Sequence, residues 1–193
     1  MQYTDNDRVR PINVKRPPRV PYLSVVGFSG SGKTTLMERL IGELTGRGLR
    51  LGTIKHDAHG FEMDRPGKDS WRHKQAGATV TMIASPHQIG MVRDVDHDPR
   101  LEELLPLLPK VDLVLAEGFK RGTHPKIEIH RPEANAKPAC KGDPHLIAVV
   151  SNAALEWGVP CFELDDLCAL ADFIQDYFHL AGQRPMACVG ITT

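Results

Sequence analysis

The sequence predicts an α/β fold, a mostly parallel sheet flanked by helices with an antiparallel hairpin inserted in it. Three observations favour it. Short apolar runs typical of strands buried on both faces alternate with segments of helical periodicity. A glycine-rich loop joins the first such run to the first helical segment. Finally, two strand-like runs at 80–83 and 88–92 flank a Ser85-Pro86 turn. Alternating strands and helices are typical of parallel α/β sheets.

Each element follows from its own pattern. Leu36, Leu40 and Leu44 recur at helical spacing before Gly46, and Pro106 should shorten or bend a later helix. The loops at 56–68 and 131–144 are polar, contain proline, and lack periodicity. The predicted strands are 22–26, 49–55, 80–83, 88–92, 111–116, 126–130, 146–150 and 161–164. The predicted helices are 34–45, 69–75, 101–108 and 165–179.

Length and composition narrow the class of protein. The 193 residues favour a single domain at 21–193, preceded by a flexible basic arm at 1–20 without apolar periodicity. Because 24 basic residues balance 24 acidic ones, we expect no nucleic-acid or membrane partner. No apolar run approaches the roughly 20 residues of a membrane span, and no secretory signal is evident. The sequence therefore predicts a cytoplasmic location.

The loop Gly27–Thr34 matches the pattern GxxxxGK[ST] in full and lies between a predicted strand and a predicted helix. Glycines there allow a tight turn whose N–H groups point inward, so the loop and the following helix start can bind phosphate. We expect Lys33 to reach the β- and γ-phosphates as a catalytic group, and the Thr34 hydroxyl to bind Mg²⁺. These features predict a P-loop NTPase. Its predicted nucleotide-binding residues here are Gly27, Ser29, Gly30, Ser31, Gly32, Lys33, Thr34 and Thr35.

A P-loop needs a second acidic residue near the metal, and the run 111–118 contains two. Ligands gather at the carboxyl ends of parallel strands. Glu117 lies at that end, whereas Asp112 lies at the strand entry, about 16 Å away at ~3.3 Å per residue. We therefore assign Glu117, directly or through a bound water, to Mg²⁺ and to catalysis.

The loop after the second predicted strand should emerge at the same edge of the sheet. Asp57 is a candidate to position Mg²⁺ or the attacking water, and Lys55 is a candidate phosphate contact. His56 and His59 invite a metal site, but two histidines on an irregular loop are also typical of a solvated segment.

The nucleobase is not decided by any motif, because the guanine-reading pattern [NT]KxD is absent from the sequence. Asn152 follows the strand 146–150 and is a candidate base contact, although asparagine there is also ordinary turn chemistry. From the residues alone, GTP and ATP both stay open.

With these residues identified, the sequence resembles the MobB family, the molybdopterin-guanine dinucleotide biosynthesis adaptor proteins. The resemblance covers about 22–152 and depends on three blocks: 27–35, 53–73 and 115–120. The first block is generic to P-loop proteins, and the second is specific. The resemblance implies that Asp64, Lys68 and Asp69, otherwise solvated loop charges, are nucleotide-site residues.

The resemblance further implies a GTP-binding protein with weak GTPase activity and Mg²⁺. Its partner would be the molybdenum cofactor guanylyltransferase that joins GMP to molybdopterin, with molybdopterin itself as a further ligand. It also implies a homodimer.

Two other function classes stay open. One is a P-loop kinase acting on a small molecule, for which Arg121 and Arg131 flank a possible lid loop, although no lid helix is evident. The other is a nucleotide-dependent metal-insertion chaperone, suggested by His56, His59 and His124, which lack recognisable ligand spacing. No residue is an obvious strong general base, which favours slow hydrolysis over rapid phosphoryl transfer.

Overall fold

The computed structural model describes residues 20–135 and 137–182, so residues 1–19 of the predicted arm lie outside it. The described strands are β1 Tyr22–Val26, β2 Leu51–Lys55, β3 Val80–Ala84, β4 Ile89–Arg93, β5 Leu113–Glu117, β6 Lys126–Ile129, β7 Leu146–Val150 and β8 Cys161–Phe162. The described helices are α1 Lys33–Gly46, α2 Asp69–Gln75, α3 Leu101–Leu104 and α4 Leu167–Tyr177. A 3-10 turn, Leu105–Leu107, follows α3.

The predicted parallel sheet is confirmed. Within the described ranges, six strands pair in the order β2-β5-β1-β6-β7-β8, and each pairing is parallel. The strand β1 is flanked by β5 and β6, so the glycine-rich loop leaves the middle of the sheet. Because parallel strands end at one edge, the loops after β1, β2, β5, β6, β7 and β8 gather around that loop.

The core lies between one face of the sheet and helices α1 and α4. The apolar face of α1 predicted from its spacing, Leu36, Leu40 and Leu44, is buried there. Arg47, buried just after α1, ties the two helices together by donating to the Gln175 side chain of α4 at 2.7 Å. This packing fixes the direction of α1 and therefore the position of its N-terminus beside the sheet edge.

The predicted antiparallel hairpin is also confirmed. Strands β3 and β4 pair from Val80 opposite Arg93 to Ala84 opposite Ile89, as a sheet separate from the main one. The hairpin packs against α2 and carries exposed apolar side chains on both strands. Within the part of the chain described here, no helix has the length and apolar character that a membrane span requires.

Local hydrogen bonding explains where element boundaries differ from prediction. The second strand starts at Leu51 rather than at 49, because the Leu49 N–H closes the end of α1 on the Leu44 carbonyl at 3.2 Å. The predicted helix 101–108 ends at Leu104 and continues as a 3-10 turn around Pro106, since proline removes a helical N–H donor.

Candidate functional site

The glycine-rich loop Gly27–Thr34 connects β1 to α1, where the sequence placed it. The α1 N-cap is Gly32, whose left-handed backbone (φ 93°) favours glycine. Within residues 20–135 and 137–182, no side chain caps this helix, in contrast to α4, where Asp166 accepts from the Ala169 N–H at 3.1 Å. The first amides of a helix lack intrahelical acceptors and carry partial positive charge. An anion such as a phosphate would satisfy them.

Close packing demands glycine at position 27. A Cβ there would lie 2.6 Å from the Ile129 carbonyl oxygen and 2.8 Å from Ser31 Oγ. The Ser31 hydroxyl is buried and makes no hydrogen bond within the described residues. The start of the loop therefore lies directly against β6.

Lys33 begins α1, and its Nζ donates to the Phe28 carbonyl of the same loop at 2.8 Å. Partial burial lowers the pKa of this ammonium, Glu117 opposes that shift, and the nearby charges of Lys120 and Lys55 lower it further. Burial, with a smaller contribution from the neighbouring lysines, therefore disfavours the charged form. A phosphate at the loop would stabilise it.

Glu117 ends β5 next to the loop. Its Oε2 lies 3.5 Å from Thr34 Oγ1. A hydroxyl and a carboxylate are the hard oxygen donors that Mg²⁺ prefers when it also binds substrate phosphates, so these two residues fit that ion. Asp112, at the other end of β5, instead pairs with Arg50 at 2.8 Å, and this hydrogen bond lowers the pKa of Asp112 to about 2.

The loop after β2 is attached to the loop after β5. Lys55 is in register with Glu117, and the His56 N–H donates to the Glu117 carbonyl at 3.0 Å. Asp57 is exposed, and its Oδ1 accepts from the His59 N–H at 3.0 Å. The Phe119 ring packs against the His56 ring at a tilt of 46°, with centroids 4.9 Å apart.

A cavity of about 1130 Å³, here called the large cavity, opens beside Lys33. It is lined by residues that follow β1, β2, β4 and β5, among them Ser29, Lys33, Asp57, His59, Arg100, Lys120 and Arg121. Lys120 Nζ lies 4.5 Å above the Phe28 ring. The cavity therefore holds basic side chains next to the loop, together with the carboxylates of Asp57, Asp98 and Glu102.

The three histidines of the chaperone hypothesis all line the large cavity but make separate contacts. His56 pairs with Asp98 at 2.9 Å, and His124 is buried with Nε2 2.6 Å from Ser24 Oγ. Burial lowers the pKa of His124. Residues 20–135 and 137–182 contain no group of three or more His, Cys, Asp or Glu side chains arranged to hold a metal ion.

A second cavity of about 170 Å³, here called the small cavity, lies at the other side of the loop. It is lined by Gly32, Thr35, Leu36, Arg39, Ile129, Arg131, Asn152, Leu164 and Asp165. The Asn152 Oδ1 accepts from the Leu164 N–H at 3.0 Å, which is turn chemistry, while the residue also faces the cavity. Arg39 and Asp165 had no role in the sequence-based site, and Arg131 only flanked a possible lid. Of these, Arg131 had a signal, because it lies two residues after the carboxyl end of β6.

The three site residues that only the resemblance implied, Asp64, Lys68 and Asp69, do not line either cavity. Asp64 accepts from the Ser70 hydroxyl at 3.0 Å, Lys68 is the N-cap of α2, and Asp69 is in its first turn. These contacts stabilise the start of α2. A nucleotide role for them stays a prediction.

Known proteins resemble this chain over most of its length. A family model described as molybdopterin guanine dinucleotide synthesis protein B (MobB) matches residues 22–152. The molybdopterin-guanine dinucleotide biosynthesis adapter protein of Haemophilus influenzae is 38% identical over 163 residues, which are 83% of this chain and 91% of that protein. Its counterpart in Escherichia coli is 37% identical over 167 residues, 83% and 94% of the two chains.

Crystal structures of proteins from the same family superpose on this chain. The crystal structure of Bacillus subtilis MobB superposes with a TM-score of 0.66 at 32% identity, covering 84% of this chain and 99% of that one. A crystal structure of molybdopterin-guanine biosynthesis protein B gives a TM-score of 0.64 at 31% identity, covering 81% and 99%. The resemblance predicted from sequence is confirmed, and the chain belongs to the MobB family.

Proposed function

We propose that this protein is a GTP-binding adaptor with weak GTPase activity that assists a guanylyltransferase in converting molybdopterin to molybdopterin guanine dinucleotide. One observation carries the nucleotide part: the uncapped N-terminus of α1 converges with Lys33 and with the Thr34–Glu117 pair, 3.5 Å apart. The family relationship supports the pathway, since the relatives from Haemophilus influenzae and Escherichia coli are named as adapter proteins of this biosynthesis.

In the proposed complex, the amides of 30–33 and the Lys33 ammonium bind the phosphate oxygens and stabilise the charge that develops during hydrolysis. Thr34 and Glu117 hold Mg²⁺, which neutralises phosphate charge when it is bound. Asp57 faces the large cavity beside Lys33, from where it would orient the attacking water. Because its Oδ1 already accepts from the His59 N–H and the side chain is exposed, we expect it to orient the attacking water poorly, and hydrolysis to be slow.

The large cavity gives the kinase alternative a specific basis. A cavity of about 1130 Å³ next to Lys33, lined by Lys120 and Arg121, has room and charge for a small-molecule acceptor. A kinase would transfer the γ-phosphoryl group to that acceptor, whereas a weak GTPase releases inorganic phosphate slowly. Comparing the GDP formed with the inorganic phosphate released separates the two, since hydrolysis gives equal amounts and transfer to an acceptor gives GDP without matching free phosphate.

Homodimer formation is part of the proposal, and the hairpin β3–β4 supports it. Met82 is 61% exposed and Ile89 is 71% exposed, with Val80, Ile83 and Met91 exposed near them. Clustered apolar side chains on a short two-stranded sheet mark an association surface, since monomeric proteins rarely leave such a patch in water. A cytoplasmic location stays a prediction from the sequence.

The adaptor role is tested by measuring how much the protein accelerates guanylyltransferase-catalysed transfer of GMP to molybdopterin. We expect Lys33→Ala to abolish the acceleration together with Mg²⁺–GTP binding, because the variant loses the ammonium at the phosphates. Lys110→Ala, an exposed lysine before β5, is the matched control and should behave as wild type. Full acceleration by folded Lys33→Ala would contradict the proposed role of nucleotide in the adaptor.

A further inference from the structure

The order of the strands determines the direction in which a nucleotide bound at the glycine-rich loop would extend. Glu117 and Lys55, which belong with the terminal phosphates and the metal, lie on the β5–β2 side of the glycine-rich loop. The small cavity lies on the opposite side, where β6, β7 and β8 end. Since Gly32 and Thr35 line this cavity, it is continuous with the loop. A nucleotide with its terminal phosphates at Lys33 would therefore extend its other end toward the small cavity.

The small cavity presents one donor group and one acceptor group from neighbouring loops. Asn152 Oδ1 is occupied by the Leu164 N–H, so the side chain offers its NH₂ as a donor. The Asp165 side chain is 89% exposed, and Arg39 Nη1 binds its Oδ1 at 2.9 Å. Within the described residues, Asp165 Oδ2 accepts no hydrogen bond, which leaves a carboxylate oxygen held at the cavity wall.

The Arg131 guanidinium lies between the small cavity and the glycine-rich loop. Arg131 Nη1 lies 4.0 Å from the position that a Cβ on Gly32 would take. Its Nε is buried without a hydrogen-bond acceptor in the described part of the chain, and the Glu133 carboxylate oxygen is 3.8 Å away. An unpaired buried donor is costly, so a ligand oxygen next to the loop would stabilise this guanidinium.

We propose that the small cavity is the nucleobase site and that Asp165 selects guanine there, an inference that rests on the proposed nucleotide binding. Guanine carries hydrogens on N1 and on its 2-amino group, which a carboxylate accepts, and acceptors at O6 and N7 for the Asn152 amide. Adenine has no 2-amino group and an unprotonated N1, so it would face Asp165 with a lone pair. The site thus reads guanine without the [NT]KxD motif, from residues after β7 and β8.

The test replaces the Asp165 carboxylate, an acceptor, with the asparagine amide, a donor, and pairs this variant with a base that presents an acceptor. In xanthosine triphosphate a carbonyl replaces the 2-amino group, so the Asp165→Asn amide can donate to it. We expect this variant to bind GTP roughly 10- to 100-fold more weakly, the range for one lost bidentate base contact, and to bind xanthosine triphosphate more tightly than wild type does. Titration calorimetry with each nucleotide and Mg²⁺ measures both.

Asp166→Asn is the matched control, because the neighbouring carboxylate caps α4 and does not line the cavity. It should lower thermal stability and leave the preference for GTP over xanthosine triphosphate unchanged. An unchanged preference in folded Asp165→Asn would overturn the base assignment while leaving nucleotide binding intact. Failure of wild type to bind either GTP or ATP would instead overturn the proposed function, and this inference with it.

Discussion

The substitution Glu117→Gln isolates the role of one carboxylate in metal-dependent binding. Glutamine keeps the length of the side chain and can still hydrogen-bond Thr34, whose Oγ1 lies 3.5 Å from Glu117 Oε2. Only the negative charge is removed. Because Glu117 also counteracts the lowering of the Lys33 pKa, the variant should lower that pKa further.

The size of the effect follows from the position of Glu117 in the metal environment. Losing a group that holds or orients a metal ligand typically reduces metal affinity roughly 10- to 100-fold, or about 1.4–2.7 kcal/mol. We expect that loss in the binding of GTP with Mg²⁺. Without Mg²⁺ the loss should disappear, because the carboxylate then only repels the triphosphate.

Titration calorimetry with GTP, in excess Mg²⁺ and in EDTA, measures the affinity for GTP with and without the metal. Asp112→Asn is the control, since this second carboxylate of the same segment pairs with Arg50 at the far end of β5. It should leave both affinities unchanged. The reasoning is refuted if Glu117→Gln binds GTP with Mg²⁺ as tightly as wild type, or weakens binding equally in EDTA.

Three further predictions concern the loop and the face of the sheet behind it. Gly27→Ala places a Cβ 2.6 Å from the Ile129 carbonyl, so we expect a loss of about 1–3 kcal/mol, seen as a lower Tm in thermal unfolding, and an unchanged Tm would contradict this packing. GTP affinity should fall as pH rises through the lowered pKa of Lys33, below its ordinary 10.5, and Lys33→Arg should remove that dependence in titrations from neutral to alkaline pH. Burial lowers the pKa of His124, so as pH falls the unfolded chain binds a proton at this residue before the folded chain does. The free energy of unfolding, measured in urea, should therefore fall as pH drops below 6.5, and His124→Gln should make it depend less on pH.

The strands and the phosphate loop could be predicted from the sequence because their signals are local. Short, mostly apolar runs such as 22–26 and 146–150 favour buried strands in an α/β chain, and GxxxxGK[ST] requires its flanking elements. Glu117 was proposed from one topological rule, that ligands bind at the carboxyl ends of parallel strands. The structure places it against Thr34, as that rule predicts.

Features that depend on contacts between distant segments, such as the order of the strands, could not be predicted from the sequence. The neighbours of a strand in a parallel sheet depend on crossover connections, so the order that brings β6, β7 and β8 to one side of the loop has no local signal. For this reason Asp165, distant in sequence from the loop, could not be linked to it. The resemblance suggested Asp64 and Lys68, whose contacts in this structure are with the start of α2.

Equilibrium binding of GTP and of ATP, each with Mg²⁺, to the purified protein tests the central claim most directly. We expect one GTP per chain, bound more tightly than ATP, because Lys33 and the uncapped start of α1 hold the phosphates and Asp165 accepts only from guanine. A preference for ATP would contradict the guanine-nucleotide adaptor and favour the kinase alternative. Absence of binding by either nucleotide would contradict the assignment of the glycine-rich loop itself.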